Sequence, residues 1–142
     1  MRDPEVEAIY ISTPISQHAE WVRRAAEQGK HVLCEKPLCA RLADAVELVE
    51  LCRKKRVRLM EAYSFGFHPQ HAVARQWISA GRIGQPTFFN GEFTFPKPAE
   101  GDVRLRPELN GGVFHDALGY PVAAAMLVFD LSIWVQLAPT LS

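Results

Sequence analysis

The sequence predicts an α/β fold: a parallel sheet built from βαβ units, followed by the start of an α+β region with an antiparallel strand. Three observations carry this. Over residues 6–68, short apolar runs alternate with stretches whose apolar residues recur at helical spacing, the pattern of buried strands joined by crossover helices. From Thr87 the period changes, and Phe89, Gly91, Phe93 and Phe95 alternate with Asn90, Glu92 and Thr94, as in a strand with one wet face. The 142 residues, 48% hydrophobic and 23% charged, supply one ordinary core and rule out disorder, collagen and coiled coil.

Each element has its own signal. Val6 to Ile11 is a near-continuous apolar run, predicting a strand over about 7–12 closed by Pro14, which cannot donate to a ladder. Ala19, Val22, Ala25 and Ala26 then mark a helix over about 18–28, stopped by Gly29. His31 to Cys34 is a second strand. Leu42, Ala45, Val46 and Val49 predict the buried stripe of a helix reaching about Lys54, with the basic run Arg53 to Arg56 complementing its dipole. Residues 57–61 make a third strand, and Pro69 opens a helix whose Val73 and Trp77 face inward until Gly81. Residues 96–110 read as a loop, and Gly111-Gly112 leads into a helix over about 114–129.

Composition narrows the partners. Sixteen Lys+Arg against sixteen Asp+Glu give zero net charge with the signs interspersed, so no electrostatic footprint for nucleic acid is present. The N-terminus has no apolar signal region and no run of 18 apolar residues occurs, which predicts a protein that is neither secreted nor embedded in a membrane. Cys34, Cys39 and Cys52 lack CxxC spacing and fit reduced thiols in the cytoplasm better than disulfides or zinc.

Ligands of an open parallel sheet bind outside the carboxyl ends of its strands. Ser12-Thr13-Pro14 with His18, and Glu35-Lys36-Pro37, lie there. A Lys fixed at a strand end can stabilise an oxyanion or favour a neighbouring phenolate; the plainer reading is a surface lysine, and for His18 a capping or surface imidazole. Asp116 and Tyr120, four apart after the glycine pair, would share one helix face and meet a substrate together. Their plainer roles are to satisfy the helix dipole and to fill the core. His68 and His71 lack the further ligands a metal site needs, so no metal is expected.

Glu35-Lys36-Pro37, preceded by Thr13-Pro14 with His18 and followed by Phe67-His68-Pro69 and Asp116-x-x-Gly119-Tyr120, resembles the Gfo/Idh/MocA family of NAD(P)-dependent oxidoreductases. Met60-Glu61-Ala62, Phe67 to His71, Arg106 to Leu109 and Tyr120-Pro121 are most similar to its branch of dihydrodiol and xylose dehydrogenases and glucose–fructose oxidoreductase. The resemblance implies hydride transfer between NADP or NAD and a sugar-like alcohol or ketone. It assigns Lys36, Tyr120 and Asp116 to catalysis, with Tyr120 as acid/base, and Thr13, Pro14, His18, Glu35, Lys36 and Pro37 to the cofactor. It also implies that Lys36 and Tyr120 approach one another, and that a complete relative is a homo-oligomer.

The family's Gly-x-Gly-x-x-Gly loop for the pyrophosphate has no counterpart among the nine glycines. The expectation is therefore a partial chain: the later half of a Rossmann-like sheet over residues 1–66, the start of a substrate domain over 67–130, and a divergent tail over 131–142. Residues 7–12 should then be an edge strand. Two alternatives stay open: a nucleotide-sugar ketoreductase of the same family, and a non-catalytic interaction protein.

Overall fold

The computed structural model describes residues 2–129, so the expected tail from Leu131 lies outside the described residues. The chain divides into two compact units. The first holds residues up to Tyr63 together with Pro96–Asp116, and the second holds Ser64–Phe95 and the residues from Ala117.

In the first unit, β1 (Ala8–Ile11), β2 (His31–Cys34) and β3 (Leu59–Glu61) form a parallel sheet in the order β1-β2-β3. Ala8 pairs with His31, Ile11 with Cys34, and Val32 with Leu59. The connections are α1 (Ile15–Glu27) and α2 (Leu42–Lys55). Crossovers that step across a sheet in one direction put their helices on the same face, and α1 and α2 indeed pack against each other. Beneath them lies the core: Ile11, Val32 and Cys34 from the strands meet Val22, Ala25, Ala26, Leu48 and Cys52 from the helices. Because side chains alternate along a strand, the register places Tyr10, Leu33 and Met60 in one row on the opposite face, where all three are exposed. β1 is an edge of the described sheet.

Gly29 ends α1 at φ +72°, a left-handed conformation that glycine adopts without cost. The stripe expected on α2 is rotated. Leu48 and Cys52 are buried, whereas Leu42, Val46 and Val49 are exposed. The reason is geometric: Leu48 and Cys52 are one turn apart and meet α1 and the sheet, leaving the second apolar ridge of the helix outside.

In the second unit, a 3-10 turn (Ser64–Phe67) precedes α3 (Pro69–Ser79), which is capped by His68 accepting from the Gln70 N–H. Val73 and Trp77 do not face inward as expected; both are substantially exposed, and α3 buries no residue. The strand expected over residues 87–95 is irregular, with no ladder among the described residues. A period-two pattern prepares a strand, but a strand forms only where a neighbour accepts its backbone bonds, and here its side chains pack on helix instead. The helix expected over 114–129 is two helices, α4 (Val113–Ala117) and α5 (Gly119–Phe129). Pro121 explains the break, because it has no N–H to give to the Ala117 carbonyl and is tolerated only in the first turn of a new helix.

Candidate functional site

The loop after β2 is fastened at nearly every residue. The Glu35 N–H donates to the Ile11 carbonyl at 2.9 Å, and the Leu38 N–H donates to Glu61 Oε1 at 2.7 Å. Glu35 Oε1 accepts from the Tyr10 hydroxyl at 2.5 Å. That bond to a carboxylate holds the Tyr10 phenol above its ordinary pKa, with burial and the charge of Glu35 adding to the effect. The Lys36–Pro37 peptide is cis. Between these anchors, Lys36 Nζ donates to Asp116 Oδ1 at 2.6 Å and to the Asp116 carbonyl at 2.7 Å.

Asp116 is brought there by a folded-back loop. A 3-10 turn at Val103–Leu105 lies against Gly111, where a Cβ would come within 2.4 Å of the Val103 carbonyl oxygen. The Gly111 N–H donates to the Arg106 carbonyl and the Gly112 N–H to the Arg104 carbonyl. Gly112 has φ +119°, and α4 starts immediately after it. In consequence Arg104 Nε reaches Asp116 Oδ2 at 3.3 Å, so one carboxylate bridges a lysine and an arginine. Arg104 also pairs with Asp102 at 3.0 Å. The Lys36 and Asp116 side chains are only 16% and 19% exposed, a setting in which charge-assisted bonds are strong.

Thr13, Pro14, His18, Glu35, Lys36 and Asp116 line one groove of about 350 Å³, joined by Tyr10 and Arg104. It lies directly beyond the carboxyl ends of β1 and β2. Six of the residues singled out in the sequence therefore meet. Pro37 takes part through its backbone, its carbonyl oxygen lying 2.9 Å from His18 Nδ1. His18 is neither a cap nor a surface residue. It is 1% exposed, and its Nε2 lies 2.8 Å from the Thr13 carbonyl oxygen, so both ring nitrogens are engaged by backbone.

Tyr120 belongs to the second unit. Its ring stacks on Phe93 at 4.4 Å between centroids, with Phe65 edge-on at 5.5 Å. These residues and Pro121 line a pocket of about 290 Å³. Gly91 permits that packing, since a Cβ there would come within 3.0 Å of Pro121 Cβ. Because α4 and α5 are separate helices, Asp116 and Tyr120 do not share one continuous helix face. Sequence reasoning missed Arg104, whose contact with Asp116 spans twelve residues of loop with no periodic signal, and Tyr10, which reads simply as a strand residue.

A parallel βαβ sheet with a charged groove beyond its strand ends defines a Rossmann-like α/β protein. Residues 1–63 match the family model described as "Oxidoreductase family, NAD-binding Rossmann fold", and residues 71–137 match the "GFO/IDH/MocA C-terminal domain". The chain belongs to the Gfo/Idh/MocA family. It is 39% identical over 132 residues to dTDP-3,4-didehydro-2,6-dideoxy-alpha-D-glucose 3-reductase of Streptomyces violaceoruber, covering 93% of this chain and 39% of the relative. It is 38% identical over 128 residues to D-xylose 1-dehydrogenase (NADP(+)) 2 of Haloferax volcanii, covering 89% and 39%. Among solved structures it is similar to KijD10, a 3-ketoreductase from Actinomadura kijaniata in complex with NADP and TDP-benzene, with a TM-score of 0.86, 38% identity, and coverage of 89% of this chain and 39% of that one. The chain thus spans about two fifths of the length of the curated relatives it matches. No helix of the described residues is long and apolar enough to cross a membrane.

Proposed function

We propose that this chain carries the acid/base machinery and the nicotinamide-facing groove of an NAD(P)-dependent oxidoreductase acting on a sugar-like alcohol or ketone. The observation that carries the reading is the Lys36–Asp116 pair, set at 2.6 Å in a groove beyond the strand ends in a chain of this family. The groove suits one end of the cofactor. Thr13 Oγ1 is buried with no hydrogen-bond partner among the described residues, and an unspent buried hydroxyl in the groove that holds a fixed ammonium suits a carboxamide. For the pyrophosphate these residues offer no Gly-x-Gly pair, so affinity through this chain rests on Thr13, Pro14, Glu35 and Lys36.

When bound, the nicotinamide supplies or accepts a hydride. The chain's own residues then handle charge and proton. In the reducing direction, Tyr120 gives its hydroxyl proton to the substrate oxygen while a carbonyl becomes CH–OH; in the oxidising direction the phenolate takes that proton back. Lys36 contributes positive charge to the developing oxyanion, and Asp116 orients its ammonium. Face-on packing by Phe93 holds the Tyr120 ring in place. On this reading the protein works in the cytoplasm, in keeping with its free cysteines. A dTDP-sugar ketone is the substrate favoured by the naming of several relatives at 36–41% identity; D-xylose is the counterpart on the dehydrogenase side.

The test measures NADPH contact by saturation-transfer NMR and NADP reduction with D-xylose, using the full chain and its Lys36→Met and Tyr120→Phe variants. The expected result is contact at the nicotinamide protons that Lys36→Met removes. Tyr120→Phe should leave contact intact and abolish any turnover. Adenine contact alone, or nicotinamide contact indifferent to Lys36, would refute the proposal.

A further inference from the structure

We infer that His18 is a positioning residue for Lys36: a buried double donor that fastens the loop after β1 to the loop after β2. Its Nδ1 lies 2.9 Å from the Pro37 carbonyl oxygen and its Nε2 lies 2.8 Å from the Thr13 carbonyl oxygen. Both partners can only accept. A neutral imidazole carries one N–H and one lone pair, so in either tautomer one nitrogen would turn its lone pair on a carbonyl oxygen at hydrogen-bonding distance, a repulsive contact with water excluded. The doubly protonated ring satisfies both contacts, and hydrogen bonds from a cation are the stronger kind.

The surroundings allow the charge. The groove's other charged groups are Glu35, Lys36, Arg104 and Asp116, two of each sign, and the Tyr10 hydroxyl donates to Glu35. Glu108, in the 3-10 turn packed against α1, is held by Arg106. Lys36, Arg104 and the N-terminus of α1 oppose a cation, but both side chains are paired with Asp116 and the helix field falls off within a turn, whereas the two carbonyl oxygens are in direct contact.

Pro37 follows Lys36, so the Nδ1 bond fixes the chain one residue beyond the ammonium that grips Asp116. Thr13 is the residue whose hydroxyl is left unspent in the groove. One ring therefore sets the spacing of both. The significance for catalysis rests on the function proposed above; the pair of hydrogen bonds itself does not, and neither measurement below needs cofactor or turnover.

Long-range proton–nitrogen NMR on the 15N-labelled full chain at neutral pH reads the ring, with His18→Gln identifying its signals. Two protonated nitrogens with slowly exchanging protons are expected; one unprotonated nitrogen overturns the inference. Glutamine has a single donor nitrogen and cannot span both carbonyls. In that variant, exchange of the Lys36 ammonium protons should quicken about tenfold, as when one hydrogen bond is lost from a protected site. Unchanged Lys36 exchange in a folded His18→Gln protein overturns the positioning role, because a purely structural histidine would lower stability and leave that signal in place. Should the variant not fold, the wild-type ring signals still decide.

Discussion

Gly111→Ala should damage the Arg104–Asp116 arrangement through backbone contact alone. An added Cβ would stand 2.4 Å from the Val103 carbonyl oxygen and 2.9 Å from those of Arg104 and Arg106. Ordinary carbon–oxygen contacts are about 3.3–3.6 Å, so the turn must retreat by about 1 Å. That movement breaks the bonds from the Gly111 N–H at 3.0 Å and the Gly112 N–H at 2.8 Å, each worth about 1 kcal/mol net. Overpacking strain adds about 1–3 kcal/mol. The stiffer unfolded chain returns about 0.4–1 kcal/mol. The net loss is about 2–5 kcal/mol, measured by equilibrium urea unfolding followed by far-UV circular dichroism. Gly66→Ala is the control, since a Cβ there meets nothing within 4 Å among the described residues, and its change should stay within about 0.5 kcal/mol. A Gly111→Ala loss below about 1 kcal/mol would mean that the turn yields freely and that the glycine does not determine where Arg104 sits.

Three further outcomes are expected. Leu48→Ala empties a fully buried position between α2 and the sheet and should cost about 2–5 kcal/mol in the same urea assay. Burial pushes the Cys34 thiol from 9.0 up to about 12, so iodoacetamide should label it at pH 8 only after denaturation, as read by mass spectrometry. The folded state favours the neutral thiol, so this contribution to stability is complete below about pH 9.0, the thiol's ordinary value. It is lost as the pH rises through about 12. Cys34→Ala should therefore flatten the fall of the urea midpoint between pH 8 and pH 11; an unchanged slope would refute it.

The parts of the fold that could be read in the sequence are those decided locally. Short apolar runs closed by Pro14 or followed by Pro37 became strands, and Gly29 and His68-Pro69 marked helix ends, because chain stiffness and missing N–H groups act at the residue itself. The α2 stripe was misplaced because Leu42-Ala45-Val46-Val49 and Leu48-Cys52 are both apolar ridges, and only the partner surface selects between them. Residues 87–95 carried a strand pattern whose realisation depends on a neighbouring strand. Of the candidate site, the motif-bearing loops at Thr13 and Lys36 were legible, and so was Asp116. Arg104 was not, because a loop that folds back on a glycine pair leaves no period. His18 was visible as a residue but not in its role, since a bond between two carbonyl oxygens of different loops is written only in three dimensions.

The row of Tyr10, Leu33 and Met60 across the bare side of the sheet bears on how the molecule should be handled. Environment-sensitive dyes brighten on flat apolar surfaces, and this row presents one while the sheet is fully formed. A dye-monitored melt would begin bright and show little rise, giving the false impression of a collapsed, unfolded sample. Intrinsic tryptophan fluorescence, to which Trp21 contributes from its packing against the core on the helical side, is the sounder thermometer, and a nonionic detergent below its micelle concentration should lower the dye baseline without moving the tryptophan transition.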